Sequence, residues 1–277
     1  MCEIFFLHNP TGTIKTSNLI RLLHVAVHEA APRNSDGFGV FNEDREVYKS
    51  EEQLGFEDIE EIVERYKDSR FIVLHLRLAT QGAVCFKNSH PFKHRENVLV
   101  HNGSVTPENH FKDGRADSYQ LLRDIYKRKD RDTVNAVQNS LKNTSGSVSV
   151  FLYDYKGDLY YFRDGSRFQF ARIKDTGELA GATVGHRLDS AFGWENLRYS
   201  EPEEETVYQI DQKIKKADQF HMEPQIVTDR SDSVYSSFGW GSYEEDVEYE
   251  DEDEELIQES DWDEYQRKLE MYRQPHR

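Results

Sequence analysis

The sequence predicts a layered α+β domain. Apolar runs of strand length, such as residues 4–7 and 71–76, stand apart from segments whose apolar residues recur at helical spacing. The helical segments fall in clusters between groups of strands, which suits layers better than strict alternation. The regular pattern ends near residue 215, and no internal repeat interrupts it.

Taken in order, residues 1–7 read as a short buried strand, because Ile4, Phe5, Phe6 and Leu7 are apolar in succession. From residue 17 to about 30, Leu19, Leu22, Leu23, Ala26 and Val27 share one helical face, with Thr16 or Ser17 as the cap. Residues 37–41 form a strand. A helix over 57–66 carries Ile59, Ile62, Val63 and Tyr66 on one side. Strands at 71–76 and 98–101 flank a polar loop. Residues 117–126 are helical with Leu121, Leu122 and Ile125 inward, and a further helix holds Val134, Val137 and Leu141. Strands follow at 148–153 and 159–162 around a Lys156-Gly157 turn, then at 168–173, 179–184 and 207–210.

The chain has 277 residues, enough for one sizeable core, and a formal net charge of −17. Residues 244–264 alone hold fourteen acidic side chains and no basic one. This composition repels phosphate backbones, so nucleic-acid binding is not expected. No apolar run reaches the ~18 residues of a membrane span, and no basic-then-apolar leader opens the chain. The two cysteines, Cys2 and Cys85, cannot form a disulfide framework, so a reducing cytoplasm is the expected setting. Three stretches result: a domain over 2–215, a linker or peripheral segment over 216–243, and an acidic, disordered tail over 244–277 with room for one short helix at 262–272.

Five features carry chemistry. Removal of Met1 before a small residue exposes Cys2, which then has a thiol and an α-amine of pKa near 8 on one residue. Such an amine can act as base for its own thiol. Read alone, a cysteine at position two is incidental. Arg77, in His75-Leu76-Arg77-Leu78-Ala79-Thr80-Gln81-Gly82, can grip a carboxylate with two parallel bonds, or serve a structural ion pair. His90, in Asn88-Ser89-His90-Pro91-Phe92, is a pocket residue or a structural histidine. Asn102-Gly103, after a strand, can form an oxyanion hole or a plain hairpin turn. Asp117, before Ser118, can hold an ammonium or cap a helix. The histidines at 75, 90, 94 and 101 fit no zinc pattern, so no metal site is expected. Gly37 and Gly39 form no nucleotide fingerprint.

In joint order, Cys2, Asp36-Gly37-Phe38-Gly39, His-x-Arg-x-Ala-Thr-x-Gly, Asn-x-His-Pro-Phe, His-Asn-Gly and Asp-Ser resemble the class II glutamine amidotransferases, which are N-terminal-nucleophile hydrolases. The likeness covers roughly residues 2–190. Met-Cys-Glu at the start resembles the small stand-alone members, whereas larger synthases commonly read Cys-Gly-Ile. The resemblance implies a four-layer αββα sandwich of two stacked antiparallel sheets. It implies Cys2 as nucleophile, Asn102 and Gly103 as the oxyanion-hole pair, Arg77 on the substrate carboxylate and Asp117 on its ammonium. Thr80 and His90 match pocket-lining positions. Leu78 stands where several members carry an aromatic or basic residue, which leaves that wall open.

The implied reaction is release of ammonia and glutamate from glutamine through a γ-glutamyl thioester, with no cofactor. Any ammonia acceptor is then a separate synthase, or the enzyme simply hydrolyses glutamine. Two other readings stay open. The same thiol could cleave a different γ-glutamyl amide, or an idle domain could serve protein interaction through the tail.

Overall fold

The computed structural model describes residues 2–80, 83–106, 116–128, 132–142, 144–211 and 213–222. The acidic tail, most of the expected linker, and Gln81-Gly82 of the arginine motif lie outside the described residues. In chain order the elements are β1 (Glu3–His8), α1 (Thr16–Val25), β2 (Phe38–Asn42), β3 (Val47–Ser50), α2 (Glu57–Tyr66), β4 (Phe71–Leu76), β5 (Phe92–His94), β6 (Asn97–Thr106), α3 (Asp117–Lys127) and α4 (Thr133–Leu141). Then come β7 (Ser145–Tyr153), β8 (Leu159–Asp164), β9 (Gln169–Ile173), β10 (Leu179–Ala182), α5 (His186–Phe192), β11 (Leu197–Ser200), β12 (Thr206–Ile210) and β13 (Ile214–Gln219).

The strands pair into a seven-stranded sheet, β11-β9-β10-β1-β4-β2-β3, and a six-stranded sheet, β13-β12-β8-β7-β6-β5. Every ladder is antiparallel. Alternation along each strand sets the layers. In β1, Phe5 and Leu7 face a cluster that includes Leu19, Leu22 and Leu23 of α1, Ile59 and Ile62 of α2, and Leu188 of α5. Ile4 and Phe6 face the other way, into a cluster shared with Val98, Val100, Phe151 and Tyr161 of the second sheet. That sheet in turn sends Leu99, Val148, Val150 and Leu152 against Leu121, Leu122 and Ile125 of α3 and Val137 of α4. The result is helix, sheet, sheet, helix: the αββα sandwich.

Several local differences from the sequence reading have plain causes. Helix α1 stops at Val25 and leaves through a π-turn, Ala26–Ala30, and a 3₁₀ turn, Ala31–Arg33. Pro32 sits in that last turn and cannot donate into a continuing ladder. Strands β3, β5, β11 and β13 lie at sheet edges and have few buried residues, so no apolar pattern announces them. Helix α5 spans only seven residues, too short for its periodicity to stand out.

The inter-sheet layer is aromatic. The Phe151 ring lies 4.9 Å from Phe6 and 4.8 Å from Tyr161, with Phe168 at 5.4 Å. Phe151→Ala should cost about 3–5 kcal/mol of stability, read as a lowered midpoint in urea unfolding. A loss below about 1 kcal/mol would show that the sandwich does not depend on this layer.

Candidate active site

Cys2 stands at the mouth of β1, which pairs with β4 so that Glu3 faces Leu76 and Ile4 faces His75. This register delivers Cys2 to the chain that leaves β4. The Leu78 N–H donates to Cys2 Sγ at 3.3 Å, and the thiol approaches Leu78 O at 3.4 Å. Burial pushes the Cys2 thiol pKa up, opposed by the Leu78 bond, the chain's amino terminus and Arg77. A half-buried thiol of raised pKa needs a local base before it can attack.

Arg77 follows β4 directly and is 3 % exposed. Its Nη1 donates to Ala83 O at 3.2 Å. The segment is stitched to the Asp36-Gly37-Phe38-Gly39 motif: Arg77 N–H donates to Gly37 O at 2.8 Å, Asp36 N–H to Arg77 O at 3.0 Å, and Ala79 N–H to Asp36 Oδ2 at 2.7 Å. Asp36 therefore shapes the loop that flanks the thiol. Thr80 lies exposed at the end of this loop. Gly39 answers a different need, since a Cβ there would meet His90 O at 2.1 Å. The His90-Pro91 backbone can pack on β2 only because that side chain is missing.

Asn102 and Gly103 sit within β6 rather than at a hairpin turn. They pair with Ser149 and Val148 of β7. Gly103 has φ +142°, and a Cβ on it would lie 2.0 Å from Ser147 O. His101 braces this point. Its Nδ1 lies 2.8 Å from Ser118 Oγ and its Nε2 3.3 Å from Ser147 O. Burial lowers the His101 pKa and keeps the ring neutral. The nitrogen facing a carbonyl must then carry the proton, which leaves Nδ1 as an acceptor beside the Ser118 hydroxyl, itself 3.2 Å from Asp117 Oδ1. Asp117 opens α3, where its Oδ2 accepts from Val105 N–H at 2.7 Å and its Oδ1 from Ser118 N–H at 2.8 Å. The carboxylate so ties α3 to β6 and still has lone pairs for a ligand.

His90 is packed inside. Its ring lies 4.1 Å from that of His75 and 4.5 Å from that of Phe92. All four ring nitrogens of His75 and His90 are buried, with no hydrogen-bond partner among the described residues. Burial holds both rings neutral, pushing His75 down to about 3 and His90 well below its ordinary value.

Thr183 and Arg187 gave no signal in the sequence, and Glu3 entered it only through the Met-Cys-Glu start. Thr183, just past β10, accepts from Ile4 N–H at 2.9 Å through Oγ1, and its own N–H donates to Ile4 O at 3.0 Å. The same Oγ1 lies 3.5 Å from Asn102 Nδ2, a long contact across the two sheets. Thr183 thus links the nucleophile strand to the Asn102 strand. Glu3 and Arg187 form a buried ion pair, with Nε and Nη2 each 3.2 Å from a carboxylate oxygen. Arg187 Nη1 also holds Glu29 at 2.7 Å. This network anchors the residue after Cys2, which gives Glu3 a physical reason. These partners are far apart in the chain, and only a strand-end threonine or a glutamate after the cysteine would have hinted at them.

Among the described residues no group of three or more His, Cys, Asp or Glu side chains is placed to hold a metal ion. No helix among them is long and apolar enough to cross a membrane.

A family model described as class-II glutamine amidotransferases matches residues 7–144. That span contains Arg77, Thr80, His90, Asn102, Gly103 and Asp117, and begins after Cys2. A solved glutamine phosphoribosylpyrophosphate (PRPP) amidotransferase from B. subtilis, complexed with ADP and GMP, is similar in fold. It has 17 % identity and a TM-score of 0.58, over 80 % of this chain and 50 % of that one. A second structure, of an allosteric regulatory enzyme of purine biosynthesis, matches at 15 % identity and a TM-score of 0.58, over 80 % of this chain and 50 % of that one. The chain therefore spans about half the length of these structures. None of the curated proteins matches it.

The neutral buried histidines set a pH dependence. The unfolded chain binds protons on histidine below about 6.5, whereas folded His75 resists until about 3. The native state then holds fewer protons, so its stability is full above about pH 6.5 and falls as pH drops toward 3. At pH 5 the share from His75 is about 2 kcal/mol. Urea unfolding at pH 7 and pH 5 should show the loss, and His75→Phe should shrink it by that amount. An unchanged difference would mean that His75 protonates freely in the fold.

Proposed function

This chain belongs to the class II glutamine amidotransferases, and we propose that Cys2, once Met1 is removed, is the nucleophile that hydrolyses the side-chain amide of glutamine. The observation that carries the reading is the convergence at Cys2. Its thiol rests on the Leu78 backbone beside Arg77, and Thr183 ties its strand to Asn102. These links support a nucleophile, a cation and an amide donor acting together at one end of the sandwich.

Arg77 binds the glutamine α-carboxylate and Asp117 its α-ammonium, with Thr80 and His90 contributing to the pocket. The α-amine of Cys2 takes the thiol proton as sulfur attacks the amide carbon. Asn102 Nδ2–H and Gly103 N–H hold the oxyanion as the C=O bond becomes C–O⁻. The proton then passes to the leaving nitrogen, the C–N bond breaks, and ammonia departs from a γ-glutamyl thioester. Water adds to that thioester, the α-amine takes its proton, and glutamate leaves with the thiol restored. No step calls for a cofactor. A synthase that accepts the ammonia is the partner this chemistry implies.

A glutamine-analogue diazoketone should add once to protein lacking Met1, seen as a single mass shift that Cys2→Ala abolishes. A shift that survives in Cys2→Ala would place the reactive group elsewhere. Steady-state glutaminase assays separate the remaining roles. Asn102→Ala should lower kcat about 10²–10³-fold with KM little changed. Thr183→Val, which keeps the shape and removes the hydroxyl, should lower kcat about tenfold through misplacement of the strand. If Thr183→Val raised only KM, Thr183 would belong to substrate binding and not to positioning.

A further inference from the structure

The opposite end of the first sheet carries a second feature that the amide reaction does not use. Six residues of β1 separate Cys2 from this end, a distance of about 20 Å. Here the loop Pro10, Thr11, Gly12 and Thr13 borders an open depression of about 1060 Å³, lined on its other sides by Glu43, Arg70, Arg172 and Lys213. Three cations meet there with one carboxylate, in a chain whose formal charge is −17.

The sheet brings the cations together. His8 pairs with Phe71 on one side and Leu179 on the other, and Leu179 pairs with Arg172. Arg70 directly precedes β4, and Lys213 lies in the turn before β13. The carboxylate that lines the depression is not ion-paired with them. Glu43 spends its two oxygens on the backbone N–H groups of Arg70 and Phe71. Arg172 gives one Nη1–H to Gly177 O at 2.6 Å. The Arg70 guanidinium and the Lys213 ammonium have no hydrogen bond or ion pair among the described residues.

A buried group nearby senses this positive field. His8 is 4 % exposed and has no hydrogen-bond partner among the described residues. Burial, then Arg70 and Arg172, push its pKa down to about 4 against the opposing pull of Asp211. Uncompensated cations gathered around a concave surface raise the local concentration of anions. Two arginines supply planar forks that fit phosphate oxygens in pairs, and a lysine adds a point charge.

We propose that the cleft formed by Arg70, Arg172, Lys213 and the 10–13 loop is a binding site for a small phosphate-bearing ligand, a phosphomonoester dianion, distinct from the glutamine site. The donor set gives the class: two guanidinium forks and an ammonium fit the oxygens of a phosphomonoester dianion, with Glu43 and the nearby Asp211 as opposing carboxylates. The volume admits a metabolite larger than phosphate alone.

The test is calorimetric titration of the full chain with inorganic phosphate, glycerol 3-phosphate and succinate, each against chloride of equal ionic strength. Phosphate and glycerol phosphate should bind at one site, and Arg70→Gln with Arg172→Gln should weaken them at least tenfold while glutaminase activity stays unchanged. Glycerol phosphate tighter than phosphate would identify an ester ligand, and equal affinities would identify phosphate itself. Succinate binding as tightly as either would overturn the phosphate assignment. So would phosphate affinity that survives in the double variant or in Lys213→Gln. As an independent readout, the NMR titration midpoint of His8 should rise from about 4 when the cleft is filled with phosphate, and an unmoved midpoint would count against occupancy.

Discussion

Strand β1 is hydrogen-bonded along both edges, to β10 on one side and β4 on the other. Its register determines where everything else can stand. A shift of one residue would turn Ile4 and Phe6 toward the helices and Phe5 and Leu7 into the space between sheets. It would also carry Cys2 away from Leu78. The same pairing that builds the core therefore places the thiol, and the register is held by apolar burial on both faces. Thr183 and the Glu3–Arg187 pair add polar anchors at the end that holds Cys2.

The end of the sandwich proposed as the active site has a polar interior. Glu3, His75, Arg77, His90, His101, Asn102 and Arg187 are all buried there. Charged members are paired or hydrogen-bonded, which meets the cost of removing them from water. The histidines take the other route and stay neutral. A rigid polar network of this kind holds backbone and side-chain donors in place before any substrate arrives, and that is what stabilising a developing oxyanion requires. The opposite end keeps its cations near the surface, where a ligand can reach them.

The family match and the structural likeness cover different parts of the chain. The family model spans residues 7–144, which hold the arginine, asparagine and aspartate segments. The fold likeness extends over 80 % of the chain, and Ser147, Thr183 and Arg187 lie beyond the residues that the family model matches. These later residues are the ones that brace the site. At 17 % identity the fold is shared, while the bracing contacts are described by this chain's own geometry.

The sequence by itself determined the layered α+β class, the principal buried strands and helices, and the order of the motifs from Cys2 to Asp117. Those are legible because local spacing reports burial: Ile4 to Leu7 and Phe71 to Leu76 are apolar throughout, and Ile59, Ile62 and Tyr66 recur on one helical face. The family resemblance supplied the sandwich that spacing alone left open. Tertiary structure decided the rest. It put Asn102-Gly103 inside a strand although the pair reads as a turn, because Gly103 must let Ser147 O approach. It made Glu3 the partner of Arg187, 184 residues away. It gathered Arg70, Arg172 and Lys213 around one cleft. Such meetings depend on which strands pair and in what register, and that follows from burying both faces of two sheets at once, a condition no local stretch of sequence contains.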